Sequence, residues 1–278
     1  MAAVTDLSDL INLSTGGGAG APETAFWFKS ARIAGVAPTA PVVGRPASLW
    51  RYDGNPAGGA IPGAAAVPTR ATQGALPFTN PGGGRQKWMM QAWCSGLVAG
   101  TLVLYDRLLH NGGLVGNVAT AQTVGGTLTR NTGGVGNRAW VEIYTAIGGT
   151  ATTVTMSYTN QAGTSGRTST AVAIGGTGFN EATRMILMPL QGTDTGIQAI
   201  ASITLAATTG TAGSIGATIG RPLAYMPMTP AGGFGWRDFT TGLPGVPEVP
   251  TDACLALYWI PQTTTVPEFD GGYGMVEK

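Results

Sequence analysis

An all-β protein, an antiparallel β-sandwich or jelly roll, is the fold class this sequence predicts, and three observations predict it. Residues Thr153–Thr159 alternate without a break, with Val154, Met156 and Tyr158 on one side and Thr153, Thr155 and Ser157 on the other, which is the period of a half-buried strand. The chain carries 45 Gly among its 278 residues, placed between the strand-like runs where turns need them. No stretch holds a helical period for long, whereas eight to ten strand-like runs recur at the short spacing of sandwiches and jelly rolls.

The elements follow in order. Asp6–Leu13 predicts a short amphipathic helix with Leu7, Leu10 and Ile11 on one side, ended by the Gly-rich run Thr15–Pro22. Residues 14–84 are dense in Pro, Gly and Ala, with isolated aromatic anchors at Trp50, Tyr52 and Phe78. Structureless segments of that length usually serve binding, so 1–84 reads as a short helix followed by an extended arm. Irregular strands of the same domain are the alternative.

The sandwich core is expected over 85–261. Its strands are Trp88–Cys94, Thr101–Leu109, Ala139–Ile147, Thr153–Thr159, Thr170–Ile174, Arg184–Leu190, Gly196–Ala207, Ser214–Met228 and Cys254–Ile260. Gly148–Gly149 and Asn111–Gly112 read as tight hairpins, and Asn160–Gly166 closes another turn. Residues 229–251 form a Pro-rich loop excursion carrying Phe234, Trp236 and Phe239, and 262–278 an extended C-terminal tail.

Composition narrows function. Only 10% of residues are charged, against roughly 25% in ordinary domains, and 15 basic residues nearly balance 14 acidic ones. Such neutrality offers no general attraction for nucleic acid or anionic membrane. Lys29, Lys87 and Lys278 are the only lysines; the remaining cations are Arg, whose planar fork suits interfaces. Trp88–Tyr105 is apolar enough to test as a membrane span, but Gln91, Ser95, Gly96, Gly100 and Thr101 interrupt it, so buried strands are expected there. The N-terminal residues lack the basic start of a signal peptide. Cys94 and Cys254 sit in apolar runs and read as buried reduced thiols.

Chemistry is sparse. His110 is the single histidine, and no G-x-S-x-G elbow accompanies it, so a Ser-His-Asp triad is not indicated. The acids are scattered singly: Asp53, Asp194 and Asp270 beside turn glycines, and Glu142 on the strand face opposite Val141 and Ile143, toward solvent. Gly82–Arg85, Gly112–Gly116 and Gly175–Gly178 lack the Lys-Ser/Thr of a phosphate loop. No metal-ligand cluster and no cofactor motif is present.

Six stretches carry a resemblance: Thr101–Gly113 (TLVLYDRLLHNGG), Gly134–Thr145, Ser157–Gly163, Ile200–Gly213, Arg221–Ala224 and Asp252–Leu257. Together they resemble a group of virion structural proteins of tailed bacteriophages over residues 101–260. The resemblance implies a non-enzymatic capsid decoration (cement) protein on the head surface of a phage particle, made in the host cytoplasm. Its implied partners are the major capsid protein and further copies of itself, as a homotrimer, with no direct nucleic-acid or membrane contact. A neck, baseplate or tail-associated structural or carbohydrate-binding protein is the alternative. The interface candidates are Trp27, Arg32, Arg45, Trp50, Arg51, Tyr52 and Trp236, chosen because aromatic and Arg residues dominate interface energetics.

Overall fold

The computed structural model describes residues 4, 6–17, 20–30, 32–33, 40–229, 232–239 and 245–278. Among them is one helix, α1 (Leu7–Ser14), followed by strands β1 (Glu23–Ser30), β2 (Ala47–Ser48), β3 (Gly54–Asn55), β4 (Lys87–Gly96) and β5 (Gly100–His110). Next come β6 (Gln122–Thr123), β7 (Arg138–Thr145), β8 (Thr152–Asn160), β9 (Arg167–Thr168), β10 (Val172–Ile174) and β11 (Met185–Leu187). The last are β12 (Ile197–Leu205), β13 (Ser214–Met228), β14 (Phe234–Asp238), β15 (Glu248–Val249), β16 (Leu255–Pro261) and β17 (Glu268–Glu277). All pairings are antiparallel, as the alternating sequence requires.

Three sheets result. One runs β11-β7-β13-β5-β16-β2, and a bridge between Ala47 and Arg184 brings its two edges together, so it closes into a nearly complete barrel. A front sheet, β14-β4-β17-β1-β3 with β15 also on β4, packs on one outer wall of the barrel; a back sheet, β10-β8-β12-β6 with β9 on β8, packs on another. Met89, Cys94, Phe269 and Tyr273 of the front sheet share a core with Leu102, Leu104, Met226 and Trp259 of the barrel. Val154, Met156, Ile200 and Ile203 of the back sheet pack with Val141, Ile143, Ile215 and Ile219. Face-to-face sheets with apolar inner faces are the sandwich the sequence predicts, with one sheet curled on itself.

The barrel interior is filled by Val103, Tyr105, Trp140, Met185, Ala256 and Tyr258. Glycines in β13 make room for the rings: a Cβ at Gly220 would lie 2.5 Å from the Tyr105 ring, and one at Gly216 would lie 2.8 Å from the Tyr144 ring. Tyr105, Trp140 and Tyr258 pack against one another with centroids 5.6–5.9 Å apart, the edge-on and tilted geometry that aromatic quadrupoles favour.

Several expectations are corrected. The arm is no free arm along its described length. β1 lies between β17 and β3 in the front sheet, and Leu49, Tyr52, Leu76 and Phe78 are buried in the main core. Backbone bonds from Gly59 to Trp50, Leu76 to Leu255 and His110 to Ala66 tie the same stretch down. Burying each such side chain is worth roughly 1.5–3 kcal/mol, which a detached arm would forgo. The parts of the arm at 18–19, 31 and 34–39 lie outside the described residues. The C-terminal tail likewise becomes β17, flanked by β4 and β1, and the excursion at 229–251 contributes β14 and β15, with 230–231 and 240–244 outside the described residues.

Two expected hairpins are crossings between sheets instead. β7 belongs to the barrel and β8 to the back sheet, and neither Gly148 nor Gly149 has positive φ. Gly148 is needed for close approach, because its Cβ would run into the Thr209 backbone. After Asn111–Gly112 the chain passes from β5 of the barrel to β6 of the back sheet. The Asn160–Gly166 turn does close a hairpin, joining β8 to β9 with Gly163 and Gly166 at φ 79° and 72°. Cys94 and Cys254 are free and buried. Trp88–Tyr105 supplies β4 and β5, and among the described residues no helix is long and apolar enough to cross a membrane.

Candidate interaction surface

Three of the titratable groups that the sequence singles out, Glu142, His110 and Asp194, are held in hydrogen-bond networks. Glu142, expected toward solvent, is 1% exposed inside the barrel and pairs with Arg107, whose Nη2 donates to its Oε2 at 2.6 Å. The barrel reverses the expectation because closing the sheet gives β7 two buried faces. Arg107 also donates to His110 Nδ1 at 3.1 Å, to the Tyr105 hydroxyl at 3.0 Å and to the Tyr144 hydroxyl at 3.0 Å. Thr218 Oγ1 donates to Glu142 at 2.7 Å. Burial opposes charge on Glu142, but Arg107 and hydrogen bonds from Arg107, Ser48 and Thr218 outweigh it and hold the carboxyl below its usual range. Asp194 is more than a turn residue, accepting from Tyr158, Asn160 and Arg167. Among the described residues no three His, Cys, Asp or Glu side chains gather at metal-binding distance.

His110 gives this cluster a measurable signature. Burial, reinforced by the Arg107 charge, pushes its imidazole down to about 3, in keeping with a neutral Nδ1 that accepts from Arg107. A group whose folded pKa is depressed stabilises the fold above its unfolded value and loses that contribution as pH falls. Unfolding free energy therefore declines from about pH 6.5 downward, by on the order of 1 kcal/mol per pH unit. Urea titrations at pH 7, 6 and 5 measure it; His110→Gln, which keeps an acceptor for Arg107, should flatten the decline. A wild-type stability unchanged from pH 7 to 5 would contradict the assignment.

The uncovered chemistry lies on the outer face of the front sheet. In β1 the side chains alternate: Ala25, Trp27 and Lys29 turn to the core, and Phe26 and Phe28 turn out. In β14, Phe234 and Trp236 face out around buried Gly235. Register then sets a row across the strands, with Trp236 opposite Trp93, Trp93 opposite Gly272, and Gly272 opposite Phe26. A second row runs Phe234, Ser95, Asp270, Phe28. Phe26, Phe234 and Trp236 are 67%, 61% and 56% exposed.

Glycine shapes this face. A Cβ at Gly272 would lie 2.5 Å from Cζ2 of Trp93, so the indole lies over the glycine and meets Phe26 edge-on, centroids 5.9 Å apart at 73°. Gln91, Trp93, Phe234 and Trp236 line an open trough of about 390 Å³. The other end of the same face is already covered. A bulge opposite Gly274 and Met275 turns Trp88 and Met90 outward, where they and Val276 pack under Leu10 and Leu13 of α1. Asp6 caps α1 by accepting from the Asp9 amide at 2.8 Å, and Lys278 pairs with Asp9. One apolar face thus has its own helix over one end and open rings at the other.

The interface candidates chosen from the sequence divide against this face. Trp236 lies on it. Trp27, Trp50 and Tyr52 are core residues, 4%, 1% and 4% exposed, and do not act as open anchors. Trp27 packs over Gly271, and Trp50 donates from Nε1 to the Ala60 carbonyl at 3.0 Å while the Arg107 guanidinium lies over its ring. Arg51 is spent inside the molecule, donating to the Tyr144 carbonyl at 2.6 Å. Arg32 and Arg45 are exposed, and neither lines the aromatic trough. Phe26, Phe28, Trp93 and Phe234 were missed. Their alternation was readable, but which side of each strand would meet the core was not.

No family model matches the chain, and no curated protein matches it. Among solved structures it is similar to T=1 particles derived from infectious bursal virus, at 10% identity over 92% of this chain and 78% of that one, TM-score 0.19. The Gt strain of infectious bursal disease virus gives 10% identity over 92% and 80%, TM-score 0.20. The VP2 subviral particle of the same virus gives 11% identity over 92% and 80%, TM-score 0.19. Likenesses at such TM-scores lend nothing to the functional reading that follows.

Proposed function

We propose that this chain is a non-enzymatic structural protein of a phage particle, a capsid decoration protein that attaches through the outer face of its front sheet. The open aromatic row Trp236, Trp93 and Phe26 carries the reading. Phe26, Phe234 and Trp236 together expose about 350 Å² of ring surface, within the range where a monomer's largest apolar patch is often functional. Covering it contributes roughly 9 kcal/mol gross, before the costs of association. The scarcity of charge and the resemblance over 101–260 favour a protein partner in a virion. Of the arm expected over residues 14–84, this reading uses only Phe26 of β1, which the front sheet holds as a paired strand rather than as a detached arm.

The trough beside Gln91 also favours a second reading, a carbohydrate site in which sugars stack on the rings.

Copy number and position in purified particles test the proposal. Hundreds of copies on the head surface, with the front sheet turned to the lattice, are expected. A few or a dozen copies at the neck or tail would replace decoration with the alternative, and absence from particles would overturn the virion reading altogether.

A further inference from the structure

A second opening, lined by no residue of the front sheet, lies where β10 of the back sheet meets β11 of the barrel. It has a volume of about 340 Å³, with Val172, Ala173, Ile186 and Leu187 as apolar walls and Arg45 and Arg184 as its only charged lining. The Gly175–Gly178 turn, which carries no phosphate-loop signature, leads into Phe179, which lines it. Gly175, Gly176 and Gly178 adopt φ of 72°, 71° and 86°, and backbone bonds between Phe179 and Gly175 and between Phe179 and Gly176 fix the ring. The Arg45 guanidinium carbon stands 3.9 Å over that ring.

A guanidinium held by its face keeps its five donors at its rim. Among the described residues, no side chain accepts from Arg45. Arg184, 3% exposed, donates to the Arg45 carbonyl at 3.0 Å and meets Glu181 at 3.4 Å, and its Nε is buried without a partner. Glu181 is itself occupied by the amides of Gly178 and Asn180. The pocket therefore carries two guanidinium groups in its lining and no carboxylate, and the one carboxylate that meets Arg184 is already used by the turn. Burial lowers Arg184 from its ordinary value, Glu181 opposes that, and the Arg45 charge adds to the lowering, as expected of a site short of negative charge.

We propose that this pocket binds a carboxylate with an apolar body, its head on the rim of Arg45 and its body against Leu187 and Val172. The proposal stands independently of the attachment face. The same chemistry comes from a free acid or from an acidic side chain among apolar residues of another protein, and two probes separate them. Octanoate and the capped peptide Ac-Leu-Glu-Leu-NH2 are titrated into the full chain, with octanol and Ac-Leu-Gln-Leu-NH2 as uncharged controls, following methyl resonances of Leu187 and Val172.

Saturable binding of one acid with a dissociation constant of about 1 mM or tighter is expected, at least about tenfold weaker for its uncharged control and for Arg45→Ala. Arg45 is exposed, so the variant should melt like the parent. Preference for octanoate marks a free acid, and preference for the peptide marks a protein-borne one. Failure of both acids to bind, equal binding of the controls, or undiminished binding by Arg45→Ala would overturn the proposal.

Discussion

Trp236→Ala and Phe26→Ala, made separately, should each weaken attachment to particles by about thirtyfold or more while shifting the melting temperature little. The binding loss is that of an interface hot spot, at least about 2 kcal/mol for a truncated aromatic anchor. The small effect on folding follows from exposure, since both rings are more than half open to solvent and surface changes usually fall within about 0.5 kcal/mol. Trp50→Ala is the informative contrast. Its indole is buried between His110 and Arg107, and its removal should cost about 3–5 kcal/mol of stability, losing attachment only because the protein unfolds. Particle-binding assays paired with thermal melts separate the two. Normal attachment by a Trp236→Ala, Phe26→Ala double variant would remove the aromatic face from the mechanism.

Glu142→Leu should destabilise the fold by about 3–5 kcal/mol, because it strands the fully buried Arg107 without its counter-charge. Adding Arg107→Met should recover most of that loss, since a buried ion pair replaced by apolar side chains of similar volume is often neutral. Chemical unfolding of the two single variants and the double variant closes the cycle. The pH dependence has a definite sign. Glu142 is held below its ordinary 4.5, so its contribution is complete above that value and is lost as pH falls through the folded pKa. Wild-type stability should therefore drop more steeply than that of the double variant below about pH 4.5. Parallel acid curves would show that the pair contributes nothing to the pH dependence.

Local pattern was legible where neighbours in sequence decide it. The short N-terminal helix, the alternating strand at 153–159, the buried thiols and the 160–166 hairpin depend on propensity, period and turn chemistry, and each reappears in the structure. The helix, however, buries Leu10 and Leu13 and leaves Leu7 and Ile11 of the expected apolar side exposed. The glycine pairs were harder. At 148–149 the sequence is equally suited to a tight hairpin and to a close crossing between sheets, and only the Thr209 backbone pressed against Gly148 distinguishes them.

The candidate surface shows the same division. Residues 24–28 announce two faces, one with Phe26 and Phe28 and one with Ala25 and Trp27, but period two does not say which face meets a core. That was settled when β17, a distant stretch expected to trail free, inserted between β1 and β4 and turned Gly271 toward Trp27 and Gly272 toward Trp93. Glu142 moved from expected surface to interior for a like reason, since a strand has a solvent side only until its sheet closes. By itself the sequence determined an all-β chain, poor in charge and rich in close-packing glycine. Tertiary structure decided which aromatics hold the fold and which stand open, because burial belongs to the pairing of remote strands rather than to any one of them.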